Sequence, residues 1–229
     1  MFSKQNKLKV AAVIFDLDGT LIDSIDIYFT IVEKALKKLN LPAVSRNRIL
    51  EAAESEEFRW ELVLPQDVLN RKAEIIDEAW AVINEIAPKM FADNLELIRG
   101  AGHIVESLSS NGLKVGLVTS TQRQYLETKM QPLKNAGVDT LFEAIITSDD
   151  VEKRKPSPDP LIVCAKQLDI KPSSCVYVGD TTTDIKAGKA AGMRTVAVLT
   201  GFDEYEILEK ENPDAIIDSI RNLTEAVTF

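Results

Sequence analysis

The chain has 229 residues, 45% hydrophobic and 28% charged, and Lys+Arg 27 against Asp+Glu 36 gives a net charge of −9. This is globular composition for one large domain or a core with a smaller insert, and it excludes a wholly disordered chain. An acidic surface repels phosphate backbones and anionic lipid, so nucleic-acid and membrane partners are not expected. The longest apolar run, Val10 to Phe15, is too short to span a bilayer or to form a secretory core. Two cysteines and one histidine leave disulfide frameworks, zinc sites and Ser-His-Asp catalysis poorly supplied, and a reducing cytoplasm is the expected setting.

The first predicted strand is Lys9 to Phe15, which ends abruptly in Asp16-Leu17-Asp18-Gly19-Thr20. From about Asp23 to Asp93 the pattern turns helical. Tyr28, Ile31/Val32, Ala35/Leu36 and Leu39 mark one helix, stopped by Asn40-Leu41-Pro42. Val68/Leu69, Ala73, Ile76, Ala79/Trp80 and Ile83 mark another from Pro65 to about Ala87, with Pro65 in a first turn and Pro88 interrupting the helical pattern after Ala87. Beyond it, strands and helices alternate: helix Gly102 to Ser110, strand Leu113 to Val118, helix Gln122 to Ala136, strand Glu143 to Thr147 and helix Asp159 to Leu168. Strand Ser174 to Val178, helix Thr182 to Ala191, strand Arg194 to Leu199 and a weaker strand, Asp214 to Ile217, complete the set.

The strands are rich in Val, Ile and Leu without alternation, as in sheets buried on both faces, and Gly112, Gly137 and Gly192 come just after three of the helices. The expected fold is α/β, a Rossmann-like doubly wound parallel sheet with an inserted α-helical cap over its carboxyl edge. Residues 1–22 and 93–229 form the core in this reading, and 23–92 form the cap.

Asp16 and Asp18 point the same way if strand geometry continues briefly past Phe15. Two carboxylates would then meet where open α/β folds bind ligands, a costly arrangement unless a cation joins them or one takes a proton. Asp180 and Asp184 stand at i and i+4 around the start of a predicted helix, where Asp180 also suits a cap. Thr119 alone reads as a strand-end turn residue, and Lys155 alone as a surface lysine before a proline.

Together, in order and at strand ends, these segments resemble the signature of the haloacid dehalogenase superfamily over nearly the whole chain. The parts are Asp16-Leu17-Asp18-Gly19-Thr20-Leu21, Thr119, Lys155 in Lys155-Pro156-Ser157-Pro158-Asp159, and Gly179-Asp180-Thr181-Thr182-Thr183-Asp184. The resemblance implies Asp16 as a nucleophile that becomes an aspartyl phosphate. It implies Asp18 as the acid for the leaving oxygen and then the base for water. Thr119 and the Ser120 amide would bind the phosphoryl group, and Lys155 would neutralise it and orient Asp16, with Asp184 in support. Mg²⁺ would sit on Asp16, the main-chain carbonyl of Asp18, and Asp180.

Asp18 separates the chain from the dehalogenases and phosphonatases of that superfamily, and Leu17-Asp18 separates it from the P-type ATPases. Gly179-Asp180 with Asp184 resembles the phosphoglycolate phosphatase and pyrophosphatase-like branch rather than the Glu-Asp pairing usual in β-phosphoglucomutases. Mg²⁺-dependent hydrolysis of a small phosphorylated metabolite is therefore expected, by a monomer or homodimer. The alternatives are a sugar phosphomutase and a non-catalytic binding protein of the same fold.

Arg154 replaces a glycine often found in the family and narrows the loop before Lys155. Arg46, Arg48, Arg59, Arg71 and Lys72 are the cap cations within reach of a second anionic group, against the plainer reading of solvated helix faces. The Arg46-Asn47-Arg48 and Glu56-Glu57-Phe58-Arg59 stretches lack the Gly-rich turns expected of well-known phosphoglycolate phosphatases, so no substrate is named. Trp60 and Trp80 read as cap core, His103 as a surface or capping residue, and Cys164 and Cys175 as small buried apolar residues.

Overall fold

The computed structural model describes residues 7–53 and 58–228. The chain divides into two compact units, one built from the segment up to Asp23 and from Glu96 onward, the other from Ser24–Leu95. Among the described residues, no helix is long and apolar enough to cross a membrane.

The Ser24–Leu95 unit is helical, with α1 (Ile25–Lys38), α2 (Arg46–Ala53) and α3 (Lys72–Asn94), and two short 3₁₀ turns, Trp60–Leu62 and Gln66–Arg71, precede α3. Helix α1 ends because Asn40 adopts φ 55, which lets the Asn40 and Leu41 amides bond back to Lys37 and Leu36. Its buried Phe29, Val32 and Leu36 pack with Ile49, Trp60, Ile75 and Ala79. Three sequence expectations change here. Helix α2 was not foreseen. Helix α3 runs through Pro88 to Asn94 instead of breaking, because Phe91 beyond it packs on Ile27 and Ile31. Trp80 is 43% exposed rather than core: it comes after Ala79 round the helix by 100°, and its ring meets that of Trp60 at right angles with centroids 5.7 Å apart. The Glu56-Glu57 pair lies outside the described residues.

The larger unit carries six parallel strands: β1 (Ala12–Phe15), β2 (Lys114–Val118), β3 (Ala144–Ile146), β4 (Cys175–Gly179), β5 (Arg194–Val198) and β6 (Ala215–Ile217). They lie in the order β3-β2-β1-β4-β5-β6. Every residue of β1 and β4 is buried, as a sheet covered on both faces requires. Each such Val, Ile or Leu stabilises the fold by about 1.5–3 kcal/mol relative to exposure. The first predicted strand is split: Leu8–Lys9 pairs with Val227–Thr228, and only Ala12–Phe15 enters the main sheet. Helices α4 (Ala101–Ser110), α5 (Arg123–Asn135), α6 (Asp159–Gln167) and α7 (Thr182–Ala190) connect the strands, and α8 (Tyr205–Lys210) is a further, unforeseen helix after β5. Gly112, Gly137 and Gly192 take φ 80, 71 and 74 where α4, α5 and α7 end. His103 is exposed on α4, and Cys164 and Cys175 are buried.

Candidate active site

Strands β1, β2 and β4 end level with one another, because Phe15 pairs with Leu117 on one flank and Val178 on the other. The chain moves outward from β1 through β2 to β3, then returns to place β4 on the other side of β1. The crevice outside those ends is where an open α/β sheet takes ligands. The next residues along the three strands are Asp16, Thr119 and Asp180.

Asp16 is 6% exposed, and Lys155 Nζ lies 2.6 Å from its Oδ1. The same ammonium donates to Asp184 Oδ1 at 2.7 Å and to the Tyr177 hydroxyl at 3.0 Å. Its three protons thus have three buried acceptors. Asp184 Oδ2 accepts from the Thr181 amide and hydroxyl at 3.1 and 2.7 Å, a capping box that starts α7. Thr181, not Asp180, is the cap. Asp180 instead accepts from the Thr20 hydroxyl at 3.0 Å and the Phe202 amide at 2.9 Å. Gly19 makes room for it: at φ 74, a Cβ there would lie 2.6 Å from Asp180 Oδ2.

Among the described residues, Asp16, Asp180 and Asp184 each bring a carboxylate oxygen within 4.8 Å of the others. Burial pushes the Asp16 carboxyl up to about 7, with Lys155 opposing the rise and Asp184 adding to it. Burial, then Asp184 and Asp16, raise Asp180 well above the carboxylate range. Burial acts on Asp184 in the same sense, but the charge and bond of Lys155 and the bonds of Thr181 outweigh it and hold this carboxyl low. One ammonium therefore faces three carboxylates. Lys155 is shared by Asp16 and Asp184, and the donors to Asp180 are a neutral hydroxyl and a neutral amide, so the cluster keeps an excess of negative charge. An all-oxygen pocket with uncompensated negative charge suits a hard cation.

Asp18 is not one of the three converging carboxylates, though its charge adds to the rise at Asp16. The chain turns after Asp16, with the Leu21 and Ile22 amides folding back onto the Leu17 carbonyl at 2.9 and 3.0 Å. The turn interrupts the strand, and the carboxylates that converge with Asp16 are Asp180 and Asp184. The Asp18 carboxylate meets Lys129 and Thr121 instead. Thr119 is 3% exposed, and its hydroxyl oxygen accepts from the Thr121 amide at 3.1 Å. That turn leaves the hydroxyl proton able to meet an anion, so the turn and phosphate-binding readings are compatible. Ser120 is exposed beside it.

Lys129, Thr121, Tyr177 and the Gly201-Phe202 turn were missed by sequence reasoning. Lys129 had a signal: it lies between Leu126 and Leu133, at i−3 and i+4 on the apolar side of its helix. The cap cations are engaged within their own unit. Arg46 pairs with Asp26, Arg71 with Glu74 and Lys72 with Glu61, while Arg48 and Arg59 bond the Leu62 and Glu51 carbonyls.

Residues 13–198 match the family model for haloacid dehalogenase-like hydrolases. A phosphoglycolate phosphatase of Salmonella typhi is 29% identical over 244 residues, covering 97% of this chain and 94% of that protein. A predicted phosphoglycolate phosphatase from Haemophilus somnus superposes with TM-score 0.80 at 22% identity, over 94% of this chain and 97% of its own. A HAD family hydrolase from Deinococcus radiodurans, solved with bound phosphate and sodium, superposes with TM-score 0.73 at 24% identity, over 96% and 94%. At these identities the two structures bear on the fold alone.

Proposed function

The chain belongs to the haloacid dehalogenase-like hydrolase family, and on that premise we propose that it hydrolyses small phosphate monoesters through an aspartyl phosphate at Asp16. The observation that carries this reading is the Asp16 carboxylate, buried at the end of β1 and held by Lys155 beside two further carboxylates. The ammonium fixes one carboxylate oxygen at 2.6 Å and leaves the other for in-line attack on phosphorus.

As the Asp16–phosphorus bond forms, the ester oxygen leaves and takes a proton from Asp18. Water then attacks the same phosphorus, Asp18 takes its proton, and the bond to Asp16 breaks to release inorganic phosphate. Thr119 and Ser120 hold the equatorial oxygens, and Lys155 offsets their growing charge. Asp16, Asp180 and the Asp18 main-chain carbonyl would hold Mg²⁺, which when bound lets an anionic nucleophile approach an anionic phosphate. The Ser24–Leu95 unit is the cap that selects the substrate.

The names of the curated relatives place phosphoglycolate first among the esters to test. The purified protein is given phosphoglycolate and a panel of phosphorylated metabolites, with Mg²⁺ or with excess chelator, while free phosphate and positional isomers are measured together. Expected are phosphate release that depends on Mg²⁺ and its abolition in Asp16→Asn. Turnover by Asp16→Asn, or isomer formation that outpaces phosphate release, would overturn the reading.

A further inference from the structure

Helix α5 buries a lysine. Lys129 is 4% exposed in the larger unit, where an unpaired ammonium would cost several kcal/mol. Its Nζ donates to both carboxylate oxygens of Asp18, at 2.9 Å to Oδ1 and 2.7 Å to Oδ2. It also donates to the Thr121 hydroxyl at 3.1 Å, and that hydroxyl in turn donates to Asp18 Oδ2 at 3.1 Å. The three side chains close a ring of bonds that fixes the plane of the carboxylate. Their exposures give the ring a direction: the Lys129 side chain is 5% exposed and that of Asp18 14%. The carboxylate is the outward member, and the ammonium supports it from behind.

We infer that Lys129 is a positioning residue for Asp18, holding it through the shared ring with Thr121 so that proton exchange occurs at a fixed oxygen. This inference rests on the proposed role of Asp18 as the proton donor and acceptor of a phosphatase. A proton donor must meet the leaving oxygen within hydrogen-bond reach, and a carboxylate free to rotate satisfies that only part of the time. Lys155 does the corresponding task for Asp16. The site thus carries two separate lysine supports, one for the nucleophile and one for the proton carrier.

The leaving group supplies the test. An alkyl phosphate needs its departing oxygen protonated, whereas p-nitrophenyl phosphate releases a stable phenolate with little help. Lys129→Met should lower kcat/KM for an alkyl ester by about 100-fold, within the range of general-acid effects. For p-nitrophenyl phosphate the fall should be only about fivefold. Combined with Asp18→Asn, it should add almost nothing, because residues that act as one unit are not additive. An equal loss on both esters, unchanged activity on the alkyl ester, or additivity with Asp18→Asn would each overturn the inference. Thr121→Val, which removes two bonds of the ring and no charge, carries the same comparison should Lys129→Met not fold; its expected selective loss is about tenfold. A wild-type protein inactive on both esters would overturn the functional reading itself, whereas an active wild type with unselective variants would overturn this inference alone.

Discussion

A Cβ on Gly201 would stand 1.8 Å from Oδ2 of Asp180, so these residues meet only because position 201 has no side chain. The next amide, that of Phe202, donates to the same oxygen at 2.9 Å. The turn after β5 therefore supports an acidic residue delivered by β4. Gly201→Ala must displace either the turn or the carboxylate. We expect a folded protein whose apparent Mg²⁺ affinity is weaker by about 10–100-fold, the usual effect of disturbing a metal ligand's support. Titrating activity against Mg²⁺, with thermal melting as a control, measures it. Wild-type Mg²⁺ dependence in this variant would argue that Asp180 holds no metal.

Lys155 separates stability from catalysis. Removing it as Lys155→Met leaves Asp16 and Asp184 buried without their ammonium, a loss of about 3–5 kcal/mol. For a chain of this length the melting temperature should fall by about 6–20 °C, and activity by at least about 1,000-fold. The double variant Lys155→Met/Asp184→Asn removes one of the stranded charges. It should regain part of the stability and none of the activity, because nothing then orients Asp16. Recovery of turnover in the double variant would mean that Lys155 serves only to balance charge.

The parts of this site that the sequence makes legible are those where a strand ends in chemistry. Ala12–Phe15 and Cys175–Gly179 are uninterrupted apolar runs that stop at Asp16 and Asp180, so strand, sheet edge and acidic residue are read together. Lys155 is legible only through its resemblance to a family motif, since its partners lie 139 and 29 residues away. Tyr177 looks like one more core residue of β4, because local sequence cannot show that its hydroxyl ends 3.0 Å from both Lys155 and Asp184. Lys129 sits among Glu127, Lys134 and other charged residues of α5, which disguises the one cation that turns inward. Strand alternation carried from Asp16 to Asp18 passes over the turn that Leu17 and Gly19 make, and it gives no sign that Asp180 and Asp184 converge on Asp16.

Pro88 is the remaining discrepancy, and it is testable. A proline inside a helix has no amide proton for the carbonyl four residues back and crowds it, at a cost of about 3 kcal/mol. Helix α3 nevertheless continues to Asn94. The turn beyond Pro88 carries Phe91, which is 8% exposed, stacks edge-on with Tyr28 at 5.2 Å and packs with Ile27 and Ile31. Burying one such aromatic contributes about 1.5–3 kcal/mol, so packing offsets most of what the proline costs. Pro88→Ala should therefore stabilise the protein by about 1–3 kcal/mol and leave turnover unchanged, while Phe91→Ala should destabilise it by about 3–5 kcal/mol. Chemical denaturation of both variants decides the matter. If Pro88→Ala proves neutral or destabilising, the proline's rigidity helps the native helix, and packing of Phe91 is not what carries α3 past it.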